Sequence, residues 1–145
     1  YLVREGFQVE AWDRDAEALE ELRATAKSLG LAAITTRLVD LEQAPAISPA
    51  SFDLITVFYY LQRDLAPQIA HALKPGGILA YETFLIDNHE RFNHPRRREF
   101  CLNHNELLSL FGNLRVLAYR EGAQDSGQGP FTAALVAQRP GCPLS

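Results

Sequence analysis

The sequence predicts a doubly wound α/β sheet that is mostly parallel, with helices on both faces and an antiparallel β-hairpin at its C-terminal end. Short β-rich segments alternate with amphipathic helices through most of the chain, which implies parallel strands joined by right-handed crossovers. Residues 54–60 (LITVFYY) are almost continuously apolar or β-branched, as in a strand buried on both faces. Two final β-rich segments flank a loop with three glycines, which indicates the hairpin.

Composition and charge narrow the class of protein. A chain of 145 residues suits one domain, predicted over residues 1–140 with a short tail at 141–145. The net charge of −4 disfavours a nucleic-acid partner. No apolar stretch approaches the roughly 20 residues of a membrane-spanning helix, so we expect a cytoplasmic protein without a membrane partner. The oligomeric state is left open, with a homo-oligomer among the alternatives.

The N-terminal third predicts a helix end, a strand, a helix and a second strand. Residues 1–6 fit the end of a helix closed by Gly6, and a β-rich strand follows at residues 7–12. The next helix is predicted over residues 16–29 because one stripe of apolar side chains recurs at helical spacing, at Leu19, Leu22, Ala26 and Leu29. The second strand is predicted at residues 33–39.

The middle of the chain predicts another strand, helix and strand. Residues 42–51 form a loop with two prolines, and the strand at residues 52–60 follows. A short helix at residues 65–73 ends at the Pro-Gly-Gly turn of residues 75–77. The strand that follows this turn is predicted at residues 78–84.

The C-terminal part begins with a segment of no clear period. Residues 85–102 are polar, basic and rich in His and Asn, and we interpret them as a functional loop or a small inserted segment. A helix is predicted from Asn103 to about residues 111–112, because Asn103 lies three residues before Glu106 as in a capping box. The last two strands and the loop between them are predicted at residues 114–119, 131–138 and 122–130.

Two aspartates lie at predicted strand ends, where open α/β sheets bind their ligands. Asp13 ends the first strand, and a carboxylate there accepts hydrogen bonds from both hydroxyls of a ribose. Asp15 takes the helix N-cap role, so Asp13 is not needed for it. Asp40 ends the second strand, where it can accept from the exocyclic amine of adenine while the Leu41 N–H meets a ring nitrogen. The alternative for Asp40 is a solvated turn aspartate.

Residues 52–77 (FDLITVFYYLQRDLAPQIAHALKPGG) carry a family resemblance. A strand opened by Phe-Asp, a helix ending Leu-Lys-Pro-Gly-Gly and a following strand resemble the second half of class I S-adenosylmethionine-dependent methyltransferases. Together with Asp13 and Asp40, the resemblance covers nearly the whole chain. It implies a Rossmann-like fold, S-adenosylmethionine as cofactor, and methyl transfer to a small-molecule acceptor of unknown type.

The resemblance also implies roles for individual residues. Residues expected to contact the cofactor are Trp12, Asp13, Arg14, Asp40, Leu41, Phe58 and Tyr59. If the acceptor must lose a proton, the candidate bases are Tyr59, Glu82 and His89. Substrate contacts are expected from His89, His94 and Arg97. The basic run at residues 96–98 suits an anionic or soft nucleophilic acceptor. The alternative for each residue is ordinary packing or a solvated loop.

That family holds the methionine part of the cofactor on a glycine-rich turn after its first strand. This turn would precede residue 1, so we expect the family's first strand and glycine-rich loop to be absent from this chain. The sheet would then have a gap between the strands that start at Phe7 and Phe52, which leaves backbone groups unpaired. We therefore expect a longer natural protein or another chain in the gap.

The subfamily is indicated by a second set of residues. The segment Tyr-Glu-Thr-Phe at residues 81–84, the segment Asn-His-Asn-Glu-Leu-Leu at residues 103–108, and Phe111 resemble the tellurite-resistance methyltransferase group.

Three other functions are alternatives to methyl transfer. A zinc site would use His89, His94, Cys101 and His104, but their spacing matches no compact site, so no metal is predicted. The two cysteines, Cys101 and Cys142, suit reduced thiols. An NAD-dependent oxidoreductase of Rossmann type would use the acid at residue 13 equally well. A truncated, non-catalytic binding or oligomerising module is the third alternative.

Overall fold

A computed structural model describes residues 1–141 of the chain. Residues 142–145 of the predicted tail, Cys142 among them, lie outside the described residues. The strands and helices are β1 (Val9–Asp13), α1 (Ala16–Ser28), β2 (Ile34–Leu38), β3 (Phe52–Phe58), α2 (Ala66–Ala72), β4 (Leu73–Phe84), α3 (Ile86–Phe92), α4 (Glu106–Leu110), β5 (Arg115–Ala123) and β6 (Phe131–Gln138). Short 3-10 turns lie at Leu41–Gln43, Arg63–Leu65 and Arg98–Phe100. The chain divides into a first unit, Tyr1–Pro45, and a second unit that begins at Ala46.

The first unit is a parallel β1–α1–β2 crossover. Strands β1 and β2 pair in parallel over their full lengths. Helix α1 begins where predicted, because the Asp15 carboxylate accepts hydrogen bonds from the backbone N–H groups of Glu17 and Ala18 at 2.9 and 3.3 Å. Gly30, with φ of +67°, adopts the left-handed conformation that ends a helix at low steric cost. The predicted strand–helix–strand order is confirmed here.

Residues 1–6 form hydrogen-bonded turns and not a helix. The Phe7 N–H donates to the Leu2 carbonyl and the Gly6 N–H to the Val3 carbonyl, both at 3.1 Å. These two bonds are those of a glycine-terminated helix end, as predicted, although no helix forms within the segment. Strand β1 begins at Val9, two residues later than predicted.

The second unit is a four-stranded sheet in the order β3-β4-β6-β5. Strands β3 and β4 pair in parallel, whereas β6 pairs antiparallel with both β4 and β5. The predicted C-terminal hairpin is therefore confirmed, and β6 has the predicted bounds. Alternate β4 residues Leu79, Tyr81 and Thr83 are at most 4% exposed, and the Tyr81 ring lies 5.6 Å from that of Phe111 after α4.

The two sheets remain separate ladders. Among the described strands, β1 pairs with β2 alone and β3 with β4 alone. None of the helices within residues 1–141 is long and apolar enough to cross a membrane.

The predicted turn at residues 75–77 is wrong in detail, because β4 already begins at Leu73. The segment is an irregularity within the strand, since the register with β3 shifts there. Gly77 is required by close approach: a Cβ at this position would lie 2.9 Å from the Lys74 carbonyl oxygen and 3.1 Å from that of Phe52. Its own carbonyl accepts from the Arg139 N–H at 2.9 Å. Pairing with a distant segment therefore replaces the turn.

Residues 85–102 are not one loop, because α3 occupies the first part of the segment. Asn88 on α3 is 2% exposed, and its side-chain amide donates to the His94 carbonyl at 2.7 Å while its oxygen accepts from the Phe131 N–H at 2.9 Å. The Ile86 N–H bonds to the Leu102 carbonyl at 2.9 Å. These long-range bonds have no signature in sequence periodicity.

A guanidinium clamp holds the segment before α4. Arg63 donates to the Glu106 carboxylate through two nitrogens, to the Glu99 carbonyl at 2.8 Å and to the Cys101 carbonyl at 2.9 Å. Burial acts to raise the pKa of Glu106, but hydrogen bonds from Arg63 and Asn103 outweigh it and lower that pKa. The Asn103 N–H donates to Glu106 at 2.7 Å, which is half of the predicted capping box, although α4 begins only at Glu106.

Candidate functional site

Two carboxylates end neighbouring parallel strands of the first unit. Asp13 is the last residue of β1 and is exposed; its Oδ1 accepts from the Asp15 N–H at 2.9 Å. Asp40 follows β2, and its Oδ1 accepts from the Glu42 N–H at 3.0 Å, capping the turn that Leu41 begins. Asp40 thus acts as a turn aspartate, which was the alternative given for it in the sequence analysis. Each second oxygen has no hydrogen-bond partner among residues 1–141, so both carboxylates retain acceptor capacity at one sheet edge.

The other predicted cofactor residues of the first unit have partners on neighbouring side chains. Trp12 donates its indole N–H to Glu10, and the Arg37 guanidinium lies 4.7 Å from the centre of the Trp12 ring. Arg14 lies 3.6 Å from Glu42 in an exposed ion pair. Exposed pairs of this kind are worth little, so Arg14 can exchange this partner for a ligand.

Tyr59 holds a strained backbone conformation at the carboxyl end of β3. Its φ of +53° is uncommon for a bulky residue and costs about 1–3 kcal/mol. The Tyr59 N–H donates to the Glu82 carbonyl at 2.8 Å, and its ring packs 5.0 Å from Phe84. Phe58, the last residue of β3, is 57% exposed. Strain of this kind is concentrated at functional sites.

An open cavity of about 660 Å³ lies next to Tyr59, entirely within the second unit. Its volume falls in the range of roughly 300–1,000 Å³ typical of small-molecule sites. The walls are contributed by β4, α3 and three loops, through Tyr59, Phe84, Asn88, Phe92, His94 and residues 128–130. The lining is largely aromatic. Its polar groups are the Tyr59 hydroxyl, the His94 imidazole and the Gln128 side-chain amide.

The wall formed by residues 88–95 is fixed by hydrogen bonds and ring packing. The buried Asn88 amide bonds to the His94 carbonyl, and the His94 ring meets Phe84 edge-on at 5.0 Å and 86°. His89 donates from Nδ1 to the Pro95 carbonyl at 2.8 Å. The peptide bond between His94 and Pro95 is cis. His89 therefore supports the wall, whereas His94 lines the cavity. Asn88 is not among the predicted site residues, because an amide in a polar segment gives no signal of its own.

Glu82, a predicted candidate base, is engaged by three donors at one carboxylate oxygen. Arg120 and Thr132 each donate to Oε1 at 2.8 Å, and the Gln124 amide donates to the same oxygen. Thr132 is fully buried. Gln124 in turn exchanges backbone hydrogen bonds with Gly129 and Pro130 of the cavity wall. In this arrangement Glu82 anchors the loop that forms one side of the cavity.

Arg97 lies away from the cavity. Its guanidinium pairs with Glu99 and stacks 5.1 Å from the centre of the Phe100 ring. Of the three residues predicted to contact substrate, the structure brings only His94 into the lining. Among the described residues, no arginine, lysine, aspartate or glutamate lines the cavity.

The residues considered for zinc have separate environments. His104 bonds to Asp87 at 2.6 Å, and this hydrogen bond raises the pKa of the imidazole. Burial raises the pKa of the Cys101 thiol. Within the part of the chain that the structure describes, no three His, Cys, Asp or Glu side chains are grouped to hold a metal ion.

The fold is similar to that of Rossmann-like methyltransferases. Residues 1–128 match the family described as tellurite resistance protein TehB. Because that match spans most of the chain, the chain belongs to the TehB family. No curated protein sequence matches it.

Solved structures similar to the chain support the same fold. TehB from Haemophilus influenzae superimposes with a TM-score of 0.77 at 21% identity, over 96% of this chain and 52% of its own. An S-adenosylmethionine-dependent methyltransferase from Methanosarcina mazei gives 0.73 at 18% identity, over 97% and 85%. The N-methyltransferase NodS from Bradyrhizobium japonicum WM9 gives 0.65 at 18%, over 90% and 72%. The chain thus spans about half the length of the Haemophilus influenzae protein.

Proposed function

We propose that this protein is an S-adenosylmethionine-dependent methyltransferase that acts on a small-molecule acceptor. The observation that carries the proposal is the pair of strand-end carboxylates, Asp13 and Asp40, in a chain of the TehB family. A carboxylate after each of two adjacent parallel strands suits a nucleoside, which offers a ribose diol and an exocyclic amine.

The residues of the first unit fit such a cofactor. The Asp15 and Glu42 N–H groups each hold one oxygen of a strand-end carboxylate, which leaves the second oxygen to accept a ligand hydrogen bond. We assign the ribose hydroxyls to Asp13 and the adenine amine to Asp40, with the Leu41 N–H toward a ring nitrogen. S-adenosylmethionine, when bound, supplies an activated sulfonium methyl group.

The second unit supplies positioning for the acceptor. Methyl transfer from a sulfonium needs alignment and exclusion of water more than proton chemistry. Of the three candidate bases, Tyr59 lines the cavity, whereas Glu82 and His89 hold parts of its wall. We therefore assign Tyr59 to direct contact with the acceptor and the other two to positioning.

Calorimetric titration of the full-length protein with S-adenosylmethionine and with NAD tests the cofactor. We expect S-adenosylmethionine to bind, and Asp13→Asn to weaken binding about tenfold or more, because a hydrogen bond to a charged group is lost. Asp53→Asn is the matched control, since Asp53 is the second residue of β3 and pairs with Lys74 at 2.8 Å on the surface. Binding of NAD without S-adenosylmethionine would favour the oxidoreductase, and binding of neither would favour a non-catalytic module.

Mass spectrometry identifies the acceptor class. Thiols, amines, carboxylates and metalloid oxyanions are incubated with S-adenosylmethionine and the protein. We expect a methylated product together with stoichiometric S-adenosylhomocysteine. Cofactor binding without any methylated product in all four classes would count against the proposed reaction.

A further inference from the structure

We propose that the cavity beside Tyr59 binds the methyl acceptor and that this acceptor is a small, uncharged aromatic molecule. The role of this ligand as methyl acceptor rests on the function proposed above. Its aromatic character rests on the cavity itself, so the role and the class of ligand can be tested separately.

The volume and the lining of the cavity suit a small molecule that carries an aromatic ring. Its volume is about 660 Å³, within the roughly 300–1,000 Å³ of small-molecule sites. Three aromatic side chains reach it from three elements: Tyr59 after β3, Phe84 at the end of β4 and Phe92 at the end of α3. Aromatic rings pair favourably in offset or edge-on arrangements, and rings from several directions let a flat ligand use both.

The charges around the cavity argue against an anionic acceptor. No lysine or arginine lines it among the described residues. Arg91 lies over the rings of Phe92 and Phe131, 5.6 and 5.7 Å from their centres, and Arg97 pairs with Glu99. The lining therefore offers an anion no cation to compensate for the hydration that it gives up on binding. The basic run at residues 96–98 therefore does not define the acceptor.

The polar groups of the lining suit one uncharged substituent on a ring. They are the Tyr59 hydroxyl, the His94 imidazole and the Gln128 amide. Each can donate a hydrogen bond to, or accept one from, a hydroxyl, thiol or amine on the ligand. Two features hold the wall in place before a ligand arrives: the hydrogen bond from the Tyr59 N–H to the Glu82 carbonyl at 2.8 Å and the two hydrogen bonds of the buried Asn88. A pre-formed wall lowers the entropic cost of binding.

Saturation-transfer NMR with phenol and with indole tests the ligand class. Phe92→Leu is the informative variant and Phe100→Leu is its control. Both rings are partly exposed, at 47% and 39%, and both lie beneath an arginine, but only Phe92 lines the cavity. We expect Phe92→Leu to raise the phenol dissociation constant about threefold to tenfold. Phe100→Leu is expected to leave it within a factor of about two.

A second variant guards against a folding defect. Tyr59→Asn removes a lining ring but keeps a residue that tolerates the left-handed conformation, and it is expected to weaken phenol binding in the same direction. Circular dichroism melts confirm that each variant is folded.

Three results would overturn the proposal. Equal effects of Phe92→Leu and Phe100→Leu would separate phenol binding from the cavity. Displacement of phenol by S-adenosylhomocysteine would assign the cavity to the cofactor. Displacement by tellurite, or methylation of tellurite that does not depend on Phe92, would restore an oxyanion acceptor. Phenol binding that depends on Phe92, in a protein that calorimetry shows to bind no S-adenosylmethionine, would support the aromatic ligand and overturn its role as methyl acceptor.

Discussion

The two units of the chain differ in how they hold their functional groups. In the first unit, all of which the structure describes, the buried hydrophobic residues are Leu19 and Ala26, and the strand-end acid Asp13 is exposed. The second unit has its own core, with Leu79 and Leu135 at most 1% exposed. The strand-end acids thus lie on a sparsely packed unit and the aromatic cavity on a well-packed one.

The range of the supporting bonds differs in the same way. The Asp13 and Asp40 carboxylates are each held by an N–H two residues further along the chain. Asn88 and Glu82 are instead held across 43 and 50 residues of sequence, to Phe131 and Thr132. The first unit can therefore orient its acids by local geometry, whereas the cavity of the second unit exists only when its sheet is assembled.

The largest expected effect is on core packing. Leu79→Ala in β4 is expected to lower the free energy of unfolding by about 2–5 kcal/mol, because it removes a fully buried side chain and leaves a cavity. Leu38→Ala in β2 is the control, since Leu38 is 62% exposed, and its effect is expected to stay within about 0.5 kcal/mol. Urea denaturation followed by circular dichroism measures both. Equal losses would contradict the contrast between the units.

The next effect concerns two arginines that pair with glutamates. Arg63→Met in the second unit is expected to cost about 1–2 kcal/mol, because Glu106 and two carbonyls lose a donor in a partly screened site. Arg23→Met in the first unit breaks an exposed pair with Glu20, for which we expect about 0.5 kcal/mol or less. Denaturant melts of the two variants compare them. A larger loss from Arg23→Met would refute the ranking.

The loss of stability caused by Arg63→Met is expected to decrease at acid pH. Although burial opposes it, hydrogen bonding lowers the pKa of Glu106 in the folded protein. A lowered folded-state pKa stabilises the fold above the unfolded value of about 4.5, and this stabilisation is lost as the pH falls through the folded-state value. The stability difference between wild type and Arg63→Met is therefore expected to be full at pH 7 and to shrink below pH 4.5. A difference that stays constant to pH 2 would exclude this linkage.

The smallest effect is expected from His104, which is exposed. Its hydrogen bond to Asp87 raises the pKa of the imidazole, with Glu121 and Glu90 adding to the rise. A raised folded-state pKa stabilises the fold fully below the unfolded value of about 6.5, and the gain is lost as the pH rises through the folded-state value. Thermal melts of wild type and His104→Gln should therefore differ at pH 6 and converge at alkaline pH. Asp87→Asn is expected to abolish this pH dependence.

The features that the sequence determined by itself are those set by neighbouring residues. Helix α1 and its cap Asp15, the strand-end acids Asp13 and Asp40, and the bounds of β6 follow from hydrophobic periodicity and hydrogen bonds within one turn. The Phe-Asp and Pro-Gly-Gly segments of residues 52–77 were sufficient to indicate the methyltransferase family. In each case the deciding interaction spans a few residues and is encoded in their order.

Tertiary structure alone decided the helix α3, the start of β4 at Leu73 and the membership of the cavity wall. Each depends on bonds to distant segments: Asn88 to Phe131, Gly77 to Arg139 and Glu82 to Thr132. A local sequence window contains one partner of such a pair and not the other. The strand-end acids could thus be predicted from sequence, whereas the aromatic cavity had to be found in the folded sheet.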